Sequence, residues 1–151
     1  MAIATGDFIE KFGATQDAIG TASTLVASGA FSIASDLSTW TNDEDAPFAA
    51  FVFSGTFALA PDANSVVELY VRKLNVVSTN DEEIPDVNNL SGWLGSFGLN
   101  DVATAQYKEE ILKLPNGKTS TEYEFYLRNS SGQQLNAGWD LNIRTLAIGP
   151  M

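Results

Sequence analysis

Ala49-Ala50-Phe51-Val52-Phe53-Ser54-Gly55-Thr56-Phe57-Ala58-Leu59-Ala60 alternates: Phe51, Phe53, Phe57 and Leu59 are large and apolar, and the even positions, Val52 apart, are small or polar. A period of two turns every second side chain to the same side, so this run reads as a strand with one apolar face. Val67, Leu69 and Val71 repeat the pattern against Glu68, Tyr70 and Arg72. Between the two runs stands the turn-forming Pro61-Asp62-Ala63-Asn64, which makes an antiparallel hairpin the simplest connection. Further along, Tyr123, Phe125 and Leu127 alternate with Glu122, Glu124, Tyr126 and Arg128, and Trp139, Leu141 and Ile143 with Asp140, Asn142 and Arg144. Turns are expected at Pro115-Asn116-Gly117-Lys118 and at Ser130-Ser131-Gly132.

Weaker strand patterns occupy residues 21–27, 30–35, 92–99 and 106–114, and sustained helical periodicity is absent. Short strands in this number, each with one apolar face, cannot bury those faces as a single open sheet. The expected fold is therefore all-β, an antiparallel β-sandwich of jelly-roll or Greek-key type over residues 21–151. Phe51, Phe53, Leu69, Val71, Phe125, Leu127, Trp139 and Leu141 are its expected shared core. Residues 1–20 read as a short N-terminal arm. Phe8, Ile9 and Phe12 lie within five residues of one another, in a segment too short and too interrupted by Gly6 and Gly13 to bury them by its own folding.

A length of 151 residues is that of one domain, and 44% hydrophobic residues suffice for one core. Eight basic against 19 acidic residues set the net charge at −11, which opposes binding to nucleic acid or to an anionic membrane. The acids are concentrated early: residues 1–70 hold nine of them and Lys11 as the single base, the mark of an acidic face or end. Cysteine and histidine are both missing, which removes disulfides, thiol nucleophiles, imidazole bases and the usual zinc sites. Asp7, Glu10, Lys11 and Asp17 interrupt the first 20 residues where a secretory signal needs an apolar core. The longest low-charge run, residues 46–60, is shorter than the roughly 20 residues of a membrane helix. A soluble protein made in a cytoplasm is the expectation.

Three constellations could carry chemistry. Thr41-Asn42-Asp43-Glu44-Asp45-Ala46-Pro47 and Thr79-Asn80-Asp81-Glu82-Glu83-Ile84-Pro85 share one pattern, and their clustered oxygens are of the kind that Ca²⁺ takes. Neither has the spacing or the turn glycine of an EF-hand, and solvated acidic turns are the expected reading, with no metal site. The carboxylate pairs Glu109/Glu110 and Glu122/Glu124 could run acid–base chemistry, yet nothing singles out one of them for a raised pKa. No catalytic residue and no cofactor are expected. Trp40, Trp93 and Trp139 raise a sugar-binding alternative; Trp139 shares its phase with Leu141 and Ile143, whereas Trp93 lies among glycines that could leave its ring open.

Met1-Ala2-Ile3-Ala4-Thr5-Gly6-Asp7-Phe8-Ile9-Glu10-Lys11-Phe12-Gly13, Thr39-Trp40-Thr41-Asn42-Asp43-Glu44-Asp45-Ala46-Pro47, and Tyr123-Glu124-Phe125-Tyr126-Leu127 with Ala137-Gly138-Trp139 resemble the small virion structural proteins of tailed bacteriophages. The likeness spans most of the chain. It implies a non-enzymatic β-sandwich protein of the virion, and some similar proteins act as capsid decoration or cement proteins; it implies no catalytic residues. On this reading the partners are the major capsid protein and copies of the chain itself in a homo-oligomer, with no nucleic acid and no membrane. Phe8, Ile9, Phe12, Trp40 and Trp93 are the expected interface residues. The alternatives are a tail or baseplate component and a carbohydrate-binding module on the virion surface.

Overall fold

The computed structural model describes residues 8–13, 16–21, 24–76, 80–115 and 121–150. Among them the chain forms the strands β1 (Phe8–Phe12), β2 (Asp17–Thr21), β3 (Trp40–Asn42), β4 (Phe48–Gly55), β5 (Val66–Lys73), β6 (Trp93–Gly98), β7 (Gln106–Lys113), β8 (Thr121–Ser130) and β9 (Asp140–Pro150). One sheet runs β1-β9-β4-β7, with β2 beside β1 along the same edge of β9, and the other runs β3-β8-β5-β6. All pairings are antiparallel and nested: β2 with β9, β3 with β8, β4 with β7, β5 with β6. A long antiparallel ribbon folded over on itself has this order, and it is the jelly roll. No helix among the described residues is long and apolar enough to cross a membrane.

The inner faces carry the alternating residues of the sequence. Phe51 of β4 meets Phe125 of β8 edge-on at 5.1 Å, and Phe53 stacks on Phe97 of β6 at 5.6 Å, so the aromatic rings bridge the two sheets. All eight expected core residues belong to one buried cluster. Each such side chain contributes about 1.5–3 kcal/mol on burial. Trp139 lies fully inside, its indole Nε1 donating to the Thr24 carbonyl at 3.0 Å, so the one polar atom of the ring is satisfied.

The expected β4–β5 hairpin does not form. β4 hydrogen-bonds to β7 and β9 in one sheet, β5 to β6 and β8 in the other, and residues 56–65 arch between sheets. Both strands point apolar faces inward in either arrangement, so alternation cannot distinguish a hairpin from an arch. Phe57 keeps its inward phase, but Leu59, beyond the strand's end, is exposed. The turn at Ser130-Ser131-Gly132 is present, with Gly132 at φ +78°; that at 115–118 lies largely outside the described residues.

The patterns at 92–99 and 106–114 become β6 and β7. Of those at 21–27 and 30–35, residues 22 and 23 lie outside the described residues, and the described residues from 24 on form no ladder longer than single bridges. Val26 makes a single bridge to Leu135, and Phe31 one to Arg128. Here the chain follows the edge of β8 beyond β3, with Ser32 N–H donating to the Leu127 carbonyl at 2.8 Å and Asn129 N–H to that of Ala30 at 2.9 Å. Gly29 at φ +79° and a 3-10 turn at Ala34–Asp36 break the ladder.

The arm expected at residues 1–20 supplies two strands among its described residues. β1 pairs with Leu146–Pro150 and β2 with Asp140–Ile143, both in the first sheet. Ile19 belongs to the core, and a Cβ on Gly20 would come within 2.7 Å of the Trp139 ring. β2 is thus a structural part of the sandwich. What the alternation at 139–144 did not reveal is the length of β9, which lets it receive both segments along one edge.

Candidate functional site

The outer face of the second sheet is built from the polar phase of β5 and β8. Their register sets Glu68 opposite Arg128, Tyr70 opposite Tyr126 and Arg72 opposite Glu124. Directly opposed residues project to the same side, so each charge meets its partner across the ladder. Arg72 Nη2 lies 2.7 Å from Glu124 Oε2, and Arg128 Nη1 3.0 Å from Glu68 Oε2. Tyr126 donates to Glu124 Oε2 at 2.7 Å, and Phe31 covers Tyr70 edge-on at 5.0 Å.

Burial dominates the titration of this face. It is the main cause that pushes the Tyr126 phenol up to about 12, with the hydrogen bond to Glu124 and that carboxylate's charge adding to it. Tyr70 is likewise raised, by burial first and by the charge of Glu68 next. Burial works against the charge of Arg72, yet hydrogen bonding to Glu124 and its charged neighbours hold the guanidinium above its ordinary value. These groups stay locked in one protonation state around neutral pH, which suits a rigid polar surface and not proton transfer.

β6 brings Trp93 to the end of this face by a backbone irregularity. Leu69 pairs with Gly95 but Tyr70 with Trp93, which leaves Leu94 as an extra residue. In an unbroken strand, residues 93, 95 and 97 would all face the core. The bulge reverses the phase: Leu94 packs on the core, while Trp93 stands beside Tyr70 on the outside, 57% exposed. Gly92 makes the approach possible. It sits at φ +78°, its carbonyl accepts from Val71 N–H at 2.8 Å, and a Cβ there would collide with the Val71 carbonyl oxygen.

Around Trp93 lies a groove of about 470 Å³. Its floor is the end of β5, Val71 to Lys73, and its sides are Glu82, Glu83, Ser91 and Pro115. The second acidic loop forms one wall, and it is not simply solvated. Glu82 N–H donates to the Lys73 carbonyl at 2.9 Å, its carboxylate accepts from Lys73 N–H at 2.8 Å, and Lys73 Nζ lies 3.2 Å from its other oxygen. Asp81 accepts from Asn75 N–H at 2.9 Å.

The first acidic loop, alike in sequence, is closed differently. The buried Asn42 amide exchanges two hydrogen bonds with the backbone of Ala46, at 2.9 and 3.0 Å, and Asp45 takes φ +54°. Thr145 donates to Glu44. No group of three or more metal-ligating side chains forms among the described residues. Glu109 and Glu110 point to opposite sides of β7, and Glu122 accepts from Asn75 Nδ2 at 2.5 Å.

The five expected interface residues are not brought together. Trp40 is a correction: it is 6% exposed, packed against Tyr123 and Phe125 at about 6 Å, with Nε1 donating to Asp17 at 3.0 Å. Its phase on β3 points inward, so it belongs to the core. Phe12 is 44% exposed, its ring beneath the Arg144 guanidinium at 5.1 Å. Phe8 and Ile9 lie on β1, and their side chains are outside the described residues. Trp93 is exposed on the opposite sheet. Arg72, Lys73 and Tyr126 were missed as site residues; their alternating phase was visible, but their partners depend on register between distant strands.

No protein-family model matches the chain, and none of the curated proteins does. Among solved structures the chain is similar to one titled desmodium yellow mottle tymovirus, at 12% identity and a TM-score of 0.34, covering 100% of this chain and 92% of that one. A superposition that loose carries nothing about activity or partners, and the jelly roll stands on the strand pairing itself.

Proposed function

We propose that the protein is a non-enzymatic structural component of a bacteriophage virion, a capsid decoration protein that binds the major capsid protein and copies of itself and braces neighbouring capsomers. The observation that carries the reading is β1. It lies at the edge of the first sheet, pairs with β9 alone among the described residues, and carries Phe12, an exposed ring at an open strand edge. Such an edge can accept a neighbour's backbone, and an exposed aromatic is a typical interface anchor. The resemblance of the first 13 residues to tailed-phage virion proteins points the same way.

The experiment is electron microscopy of particles bearing the full-length protein, compared with a variant lacking residues 1–12 and with Phe12→Ala. Removing residues 1–12 leaves β2 and Ile19 in place, so the sandwich should keep its β-type circular dichroism while attachment to capsids fails. Density only at the tail or baseplate would replace the decoration reading with that alternative. Undiminished capsid attachment of the truncated protein would remove β1 as the contact.

A further inference from the structure

We infer that the groove beside Trp93 is a binding site for a neutral oligosaccharide, a function beyond the subunit contacts proposed above. Of the three tryptophans only Trp93 has a free face, since Trp40 and Trp139 are in the core. The bulge at Leu94 turns this ring outward from a phase that would otherwise bury it, and the left-handed Gly92 lets the preceding chain approach β5 closely. An aromatic face held at the mouth of a groove is the apolar half of a sugar site, because the C–H faces of a pyranose ring are apolar while its rim is hydroxylated.

The polar half is also present. Arg72 is held by Glu124 and by the Glu82 carbonyl, at 3.1 Å from Nη1, and Lys73 by Glu82. Groups already locked in ion pairs keep unused donors and acceptors in fixed directions, and a ligand hydroxyl, which both donates and accepts, can bridge such a pair. Charge selects the class of ligand. Arg72 and Lys73 in the lining are met by Glu82 and Glu83 there and by Glu124 and Asp81 against Arg72, within a chain of net charge −11, so these groups offer no positive surplus to favour a polyanion. An apolar peptide would have to cover the charged floor of β5 and leave its ion pairs desolvated. The volume lies within the roughly 300–1,000 Å³ of small-molecule sites.

The test is a titration of the full-length protein with maltohexaose, cellohexaose and the N-acetylglucosamine hexamer, followed by tryptophan fluorescence and by amide NMR shifts. At least one sugar should give a saturable response with Kd of about 1 mM or tighter, with shifts centred on Lys73, Ser91 and Trp93. Trp93→Ala should weaken it by about tenfold or more, and Trp93→Phe, which keeps an aromatic face, by only about threefold. Tyr107→Ala, which removes the exposed ring of the other sheet, should leave it unchanged. Silence of all three sugars, shifts centred elsewhere, or equal loss in Trp93→Ala and Tyr107→Ala would each overturn the assignment. Because the NMR mapping uses the unaltered protein, it decides the matter even if a Trp93 variant fails to fold.

Discussion

Tyr126 faces outward in the alternation of β8, yet it is 1% exposed, because Arg72, Glu124 and the neighbouring Tyr70 close over it. Burial and the Glu124 carboxylate favour its neutral phenol and raise its pKa from an ordinary 10.0 to about 12. An unfolded chain releases that proton first, so between those two values the folded state binds more protons and stability falls as pH rises. The contribution is fully present below pH 10 and gone above about 12. Denaturant midpoints measured across this window should therefore fall, and Tyr126→Phe should flatten part of the fall while removing the tyrosinate absorbance step near pH 12. Tyr70 and Tyr123, also raised chiefly by burial, act in the same direction. A phenol of Tyr126 titrating at its ordinary value would contradict the packing described for this face.

Strands β1 and β7 close the two sides of the first sheet, and each handles its open edge differently. The outward phase of β7 is Tyr107, Glu109, Ile111 and Lys113, with Tyr107 75% exposed and Ile111 half so. Its inward phase opens with the buried Gln106, followed by Lys108 and Glu110, where a core strand would be apolar. Charges set into an edge strand discourage pairing with another copy. That polar interruption is also why the pattern at 106–114 was weak in sequence. Glu109→Val would join Tyr107 and Ile111 into one apolar row on an unpaired edge, and concentration-dependent association beyond that of the unaltered protein should follow in sedimentation velocity. Unchanged sedimentation would show that Glu109 does not guard the edge. β1 carries Glu10 and Lys11 in its sequence and ends on Phe12, whose exposed ring lies under the Arg144 guanidinium.

Across the whole molecule, nesting decides both assembly order and rate. β2 must find β9, and β3 must find β8, across most of the chain, before the inner faces can close. Such distant pairings cost loop-closure entropy in advance of their contacts, so refolding after stopped-flow dilution should take roughly milliseconds to seconds or longer. Complete refolding in microseconds would be incompatible with this topology. The same nesting puts the Trp93 groove and β1 on different sheets, so glycan binding and subunit contact can be disrupted one at a time.

The alternation of Phe51 and Phe53, of Leu69 and Val71, of Phe125 and Leu127, and of Trp139 and Leu141 was enough to determine an all-β chain, its apolar faces and its shared core, because a period of two is a local property of each strand. The exposure of Trp93 was foreshadowed by its glycine neighbours. Which strands pair was not legible, since arch and hairpin bury the same faces; β4 took one side of β9, and β1 and β2 took the other. Trp40 and Trp93 both stood among the expected interface residues. Only tertiary structure separated them, through the inward phase of β3 and a one-residue bulge in β6, because the face a side chain takes is set by register against strands remote in the chain.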